Sequence, residues 1–236
     1  MRGGHLCALL ILALLALVGY GQLLVPGELP FSPDSDIVTY HLGTKELLAR
    51  SLAAGRGIPF WRGDQLAGTP ALTNPNTLYT YPLHLLFFVL PPATAMGWTV
   101  WLHLLLGGCV YYLVGHRLGL GWWPRLLMGV AGLFSFKLVM AVYAGWLSIL
   151  PAIVLFPLLI VSVVGAVQRP GWRSGLLLTL VGGLCLHAGY VQLFYYAGGG
   201  LLLWLGGSGL AAWRAGRGRE FLRPAGLLGL SALLAL

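Results

Sequence analysis

Long uncharged stretches divide this chain, and no other feature restricts its fold as strongly. Residues 6–25 form a first apolar run, 126–168 is interrupted by Lys137 alone, and 174–213 carries no formal charge. An α-helix rises 1.5 Å per residue, so about 20 apolar residues cross a hydrocarbon core of about 30 Å. By that measure 126–168 holds two helices turning near Tyr143-Ala144-Gly145-Trp146, and 174–213 holds two turning near His187-Ala188-Gly189-Tyr190. The predicted architecture is an all-α integral membrane bundle, one transmembrane domain over 1–236. Its spans are 6–25, 93–114, 126–143, 147–167, 174–189, 191–212 and an incomplete seventh at 224–236. That last segment, about 13 residues, is too short to cross. The sequence therefore reads as the N-terminal part of a longer protein, with an interfacial tail as the alternative.

Composition agrees with a lipid environment. Charged residues make up 8% of the chain and hydrophobic ones 58%, against about 25% charged in an ordinary soluble domain. The 35 glycines would weaken soluble helices but suit backbone-to-backbone packing in a bilayer. A net charge of +8 raises the question of nucleic acid, and the placement of the charges answers it. Five of the six acids (Glu28, Asp34, Asp36, Glu46, Asp64) lie in 26–91 beside Lys45, Arg50, Arg56 and Arg62, whereas the basic residues elsewhere cluster in short segments between apolar runs. This is the positive-inside pattern, with the N-terminus cytoplasmic and 26–91 outside the membrane. The first run lacks a small-residue cleavage site before its polar flank, which favours a retained helix over a removed signal peptide. Cys7, Cys109 and Cys185 fall in apolar runs at spacings that match no metal site and read as small buried hydrophobes. Neither a phosphate-cradling loop nor a paired-histidine zinc motif is present.

A connection of roughly 65 residues is far longer than ordinary loops and points to function or disorder. Its sequence favours order. "TKELLARSLAAG" predicts a short helix lying on the membrane surface, with Thr44 as N-cap, Leu47, Leu48 and Leu52 on one face and Lys45, Glu46 and Arg50 on the other, ending at Gly55. "LYTYPLHLLFFVLPP" is apolar, bounded by prolines and too short to span, so it re-enters the membrane or lies at its interface. His103 and His116 are expected at or near a span, far from the outer loop and from any chemistry there.

Within the loop, "SPDSD" crowds two of the chain's few acids together. Ser, Pro and Asp are turn formers, which gives one reading. The other is a site in which Asp34 and Asp36 share a divalent cation, Mg²⁺ or Mn²⁺, since these ions take oxygen ligands. Lys137 sits within a span, where a charge is a functional candidate by default and can meet a phosphate, although its stem can also snorkel outward. Arg56, Arg62 and Lys45 can hold a phosphate or stand as ordinary surface charges. Asn74 and Gln192 can hydrogen-bond a sugar or tie down the fold. Tyr81, with the other loop tyrosines and Trp61, suits the headgroup level.

The ordered stretches "DSDIVTYH", "GIPFWRGDQLAGTPALTNPNTLYTYP", "YAGWLSILPAIVLFPLL" and "HAGYVQLFYY" together resemble the YfhO-like family of bacterial multi-pass membrane proteins, which is similar to the C-type (GT-C) glycosyltransferases. The resemblance spans about residues 6–205. It implies a GT-C-like bundle in the cytoplasmic membrane that moves a sugar from a polyprenyl-phosphate donor to an envelope polymer or lipid acceptor. It also makes Asp36, with Asp34 second, the catalytic candidate, and Lys137, Arg56, Arg62, Asn74, Tyr81 and Gln192 the substrate-binding ones. Two positions depart from the pattern: Trp146 and Tyr190 stand where histidines are expected. A non-catalytic carrier-lipid binder or scaffold is therefore one rival. A transporter or flippase is another, and it would require intramembrane polar groups and discontinuous helices.

Overall fold

A computed structural model describes residues 2–29, 31–65, 67–216 and 218–235. Nine α-helices carry most of them: α1 (Arg2–Tyr20), α2 (Gly43–Ala53), α3 (Pro92–Arg117), α4 (Trp122–Leu133), α5 (Phe136–Ala144), α6 (Ile149–Gln168), α7 (Trp172–His187), α8 (Val191–Arg214) and α9 (Gly218–Ala235). The only sheet among the described residues pairs β1 (Trp61–Arg62) with β2 (Thr69–Pro70), antiparallel. This is a helical membrane protein. Four helical segments among the described residues are long and apolar enough to cross a bilayer: Gly4–Leu24, Pro92–Arg117, Trp122–Ala144 and Ile149–Gln168. α7, with 16 residues, rises only about 24 Å. α8 is long enough, but its glycines, tyrosines and polar residues dilute its apolar character.

Close backbone contact holds the centre together. α3 runs antiparallel to α1 and α4. The Trp122 indole donates to the Gly4 carbonyl (2.8 Å) at one end, and the Trp101 indole donates to the Ala16 carbonyl (3.1 Å) nearer the other. Gly108 and Gly129 face each other so closely that a Cβ on either would lie 3.1 Å from the other's carbonyl oxygen. Small residues allow this approach in lipid, where dispersion and packing replace the hydrophobic drive between helices. At Gly97 an added Cβ would stand 1.9 Å from the Leu23 carbonyl oxygen, so the short 3₁₀ turn after α1, Gly21–Leu24, seats directly on α3.

The third span is broken. α4 stops at Leu133 and α5 restarts at Phe136, with Ser135 as N-cap accepting from the Leu138 N–H at 3.3 Å. An interrupted helix frees carbonyls that must find partners in lipid. Here the Tyr20 hydroxyl donates to the Leu133 carbonyl at 3.4 Å, and its ring lies against Phe134.

The bundle thus has a basic end and a loop end. His5, His116, Arg117 and Arg125 gather at the first, with His5 and His116 rings 4.9 Å apart and Arg125 2.9 Å from His116 Nδ1. At the second, the α5–α6 and α7–α8 turns meet the loop 26–91. Gly97→Ala should lower the thermal midpoint of the purified protein by the equivalent of roughly 1–3 kcal/mol. Gly198→Ala, where a Cβ meets nothing within 4 Å, should leave the midpoint unchanged or raise it, by up to about 1 kcal/mol of helix propensity. Thermal scans of the two variants beside the parent check both outcomes.

Candidate functional site

The "SPDSD" stretch is a turn that becomes a helix. Ser35 donates its N–H (3.0 Å) and its hydroxyl (2.7 Å) to the Ser32 carbonyl, and the Val38 and Thr39 N–H groups then bond the Ser35 carbonyl. A π-helical turn, Ile37–Leu42, follows and runs straight into α2. Asp36 occupies its N-cap position without a side-chain capping bond, and the Asp34 and Asp36 carboxylates both stand exposed. The backbone beneath Asp36 is fixed. Gly145, at φ +79°, lies so close that a Cβ would be 2.6 Å from the Asp36 nitrogen and 2.4 Å from that of Ile37. A left-handed residue in backbone contact admits glycine alone without strain.

The other turn repeats the device. Gly189, at φ +82°, would place a Cβ 2.4 Å from the Pro75 carbonyl oxygen. Beside it Thr80 Oγ1 and His187 Nδ1 are 2.8 Å apart. A small polar cavity of about 60 Å³ opens among Asn74, Thr77, Thr80, His187 and Gly189. The exposed Gln192 amide donates to Tyr196 (2.7 Å) and its carbonyl accepts from the Tyr190 hydroxyl (3.2 Å).

The structure corrects the predicted faces of α2 at Lys45, while Leu48 is buried and Glu46 and Arg50 are exposed as expected. His41, Thr44, Lys45, Leu48 and Ser51 are buried, a stripe at i, i+3, i+4, i+7 and i+10, and only one of the five is apolar. Lys45, expected on the solvent face, is 0% exposed. Its Nζ donates to the Thr77 carbonyl at 2.5 Å, lies 2.7 Å from His84 Nδ1, and sits over the rings of Phe87 (4.6 Å) and Tyr79 (5.2 Å). Among the described residues Lys45 has no carboxylate partner. The polar carbonyl and the two aromatic faces solvate the amine in place of water. Burial holds the Lys45 amine well below the usual lysine range, and burial, then the nearby Lys45, does the same to the His84 imidazole. His41 is pushed down to about 3 by burial and by Lys45. Among the described residues His84 Nε2 and His41 Nδ1 have no hydrogen-bond partner.

His103 also stands differently from expectation. Its ring stacks on Tyr81 with centroids 5.4 Å apart, and Nε2 lies 3.3 Å from the Tyr81 hydroxyl. The helix position is inside α3 as expected; it is the loop that comes to it. The 3₁₀ helix Pro82–Phe88, whose His84 and Phe87 are buried, lies against α2 and α3. Tyr81 is 2% exposed, and desolvation raises its hydroxyl above the usual tyrosine range.

Arg62, offered as a surface or phosphate-binding cation, is 6% exposed and committed to the protein. It holds Asp64 through two bonds of 3.2 Å and also bonds the Thr44 hydroxyl. The guanidinium sits 5.8 Å over the Tyr40 ring, and the Tyr40 hydroxyl accepts from the Asn74 amide at 3.1 Å. Asn74 also caps the 3₁₀ turn Pro75–Thr77 by accepting from the Asn76 N–H at 3.0 Å. Arg62 and Asn74 therefore tie the fold together, while Arg56 is exposed. Lys137 is exposed on the second residue of α5, beside the helix break and away from the loop site. An apolar groove of about 350 Å³ along Leu6, Leu10 and Leu14 lies in the basic-end half of α1, remote from Asp36.

Among the described residues no three His, Cys, Asp or Glu side chains converge on a metal-sized point. Asp34 and Asp36 offer the one or two carboxylates that Mg²⁺ ordinarily takes from a protein when waters and a substrate phosphate supply its other ligands. No protein-family model matches this chain, and no curated protein or solved structure matches it significantly.

Gly145→Ala and Gly189→Ala should each cost more than about 1 kcal/mol, because strain at positive φ adds to a backbone collision. Faster proteolysis within 26–91 in membranes, with the helical circular dichroism retained, is the expected result.

Proposed function

We propose that the chain is an integral membrane glycosyltransferase of GT-C-like architecture, or a part of one. It moves a sugar from a polyprenyl-phosphate donor to a cell-envelope acceptor at the loop end of the bundle, on the outer side of the cytoplasmic membrane. The observation that supports this reading is the seating of Asp36. Its carboxylate is open to an incoming acceptor while its backbone is pressed against Gly145, so a reacting group is available on a rigid support, as catalysis requires.

In the proposed step the acceptor hydroxyl oxygen attacks the anomeric carbon and its proton passes to the Asp36 carboxylate. The bond from that carbon to the phosphate oxygen breaks, and the electron pair leaves with the phosphate. Asp34 stands two residues away and steadies the polar surroundings of the attacking group. Arg50 and Arg56 are exposed but stand at the far end of α2, about 20 Å along the helix from Asp36, and Arg62 and Lys45 are engaged elsewhere, so none of these four loop cations stands beside the leaving phosphate. A divalent cation held by Asp34 and Asp36 would neutralise phosphate charge at the same place. The exposed Phe60 and Trp61 (74% and 59%) suit the headgroup level at which a lipid-linked donor presents its sugar.

A second reading, transport of a charged lipid or solute, is favoured by the α4–α5 break beside Lys137, since discontinuous helices and intramembrane charge mark transport pathways. Lys137 stands on the outside of the bundle, which weighs against a central pathway.

Membranes containing the chain, supplied with a panel of radiolabelled polyprenyl-phosphate sugars, should transfer label. Asp36→Asn at matched expression should lower transfer by about 10²- to 10⁴-fold, the usual contribution of a general base, with donor binding retained. Equal transfer by both proteins would remove Asp36 as the base. A folded, donor-binding parent without transfer would favour the non-catalytic reading.

A further inference from the structure

The Lys45–His84 contact lies outside the proposed chemistry and holds independently of it. At 2.7 Å an amine nitrogen and an imidazole nitrogen can share a hydrogen bond only if one donates and the other accepts. An ammonium beside a neutral imidazole satisfies this, and so does a neutral amine beside an imidazole N–H. A doubly protonated pair does not, because both nitrogens then carry hydrogens and positive charge at a dry site.

The surroundings supply no remedy. From the helical turn before α2 comes His41, 4% exposed; from the 3₁₀ segment come the Thr77 carbonyl, Tyr79, Tyr81 and His84; from α3 comes His103. Arg62 stands behind Thr44 with its charge matched by Asp64, and Glu46 points to solvent. The titratable neighbours are thus cations, histidines and phenols, and the carboxylate nearest in the network is already bound. Among the described residues His84 Nε2 and His41 Nδ1 have no hydrogen-bond partner, so a doubly protonated ring at either place carries an N–H without an acceptor.

We propose that the Lys45–His84 contact is an acid-released latch that holds residues 75–88 of the loop against α2 and α3. When the pair takes up a second proton the contact is lost, the 3₁₀ segment leaves the bundle end, and both nitrogens reach water. The direction follows from linkage. His84 and His41 have folded-state affinities for protons below their ordinary values, so the open state binds more protons as pH falls through about 6.5. Stability of the docked state is therefore intact above that pH and declines below it. Lys45, whose ordinary value lies far higher, contributes a disadvantage already present at neutral pH.

The test is amide hydrogen exchange of the full chain in lipid nanodiscs at pH 7.5 and 5.0, with exposure times scaled for intrinsic rates. Protection of residues 75–88 should fall roughly 10- to 30-fold at pH 5.0, the range a buried neutral histidine allows over that interval, while α3 stays protected. His84→Gln keeps an acceptor for Lys45 but does not titrate, and Lys45→Met removes the competing amine. His84→Gln should blunt the loss of protection clearly, and Lys45→Met less, because burial, the larger cause of the low proton affinity of His84, remains. Equal protection of the parent at both pH values would overturn the latch, and so would an undiminished loss in His84→Gln. Should Lys45→Met fail to fold, His84→Gln alone decides between these results.

Discussion

Two backbone contacts govern how this molecule is arranged: Gly145 against Asp36 and Ile37, and Gly189 against Pro75. Each lies at the tip of a helical hairpin, each has a positive φ, and each lets the chain of the long loop approach closer than any side chain would permit. Without them the loop would be a tether between α1 and α3. With them it is a lid of fixed geometry over the ends of α3, α5 and α7. The same seating exposes the Asp36 carboxylate and sinks the 75–88 segment beside α3.

That descent creates the second constraint. A loop entering a dry environment brings backbone and side-chain polar groups that must be paired. Lys45 meets much of this demand by donating to the Thr77 carbonyl and touching His84, with Tyr79 and Phe87 supplying aromatic faces. Arg62 serves the neighbouring turn in the same way through Thr44 and Asp64. Removing one partner from such a network generally costs more than the bond itself contributes, because the other is left buried and unsatisfied. The loop is thereby held by polar contacts whose strength depends on protonation, unlike the glycine-lined helix contacts of the bundle.

The membrane character was legible in the sequence because apolar run length and the placement of arginines are direct consequences of bilayer thickness and sidedness. The positions of the two hairpin turns could be read from their glycines. The interior of the loop could not. Its buried stripe, His41, Thr44, Lys45, Leu48 and Ser51, has helical spacing but almost no apolar residue, so hydrophobic periodicity places Leu48 inward and Glu46 and Arg50 outward correctly but gives no sign that Lys45 is buried with Leu48. Thr44, expected as an N-cap, lies inside a continuous helix because the π-helical turn before it supplies the first hydrogen bonds. His103 looked remote from the loop because distance along α3 gives no hint that Tyr81 descends to meet it. Asp34 and Asp36 stand where a turn-forming sequence puts them. The chemical role proposed for them rests on the resemblance and on the seat at Gly145.

Disulfide trapping tests the docking of the loop most directly. Thr80→Cys and His187→Cys, combined with alanine at Cys7, Cys109 and Cys185, replace side chains whose polar atoms are 2.8 Å apart. In membranes under mild oxidation this pair is expected to close rapidly, whereas a Thr80→Cys and His116→Cys control pair, at opposite ends of the bundle, should not. Free alkylation of both Thr80→Cys and His187→Cys, with no cross-link formed, would contradict the account of a loop seated on the bundle.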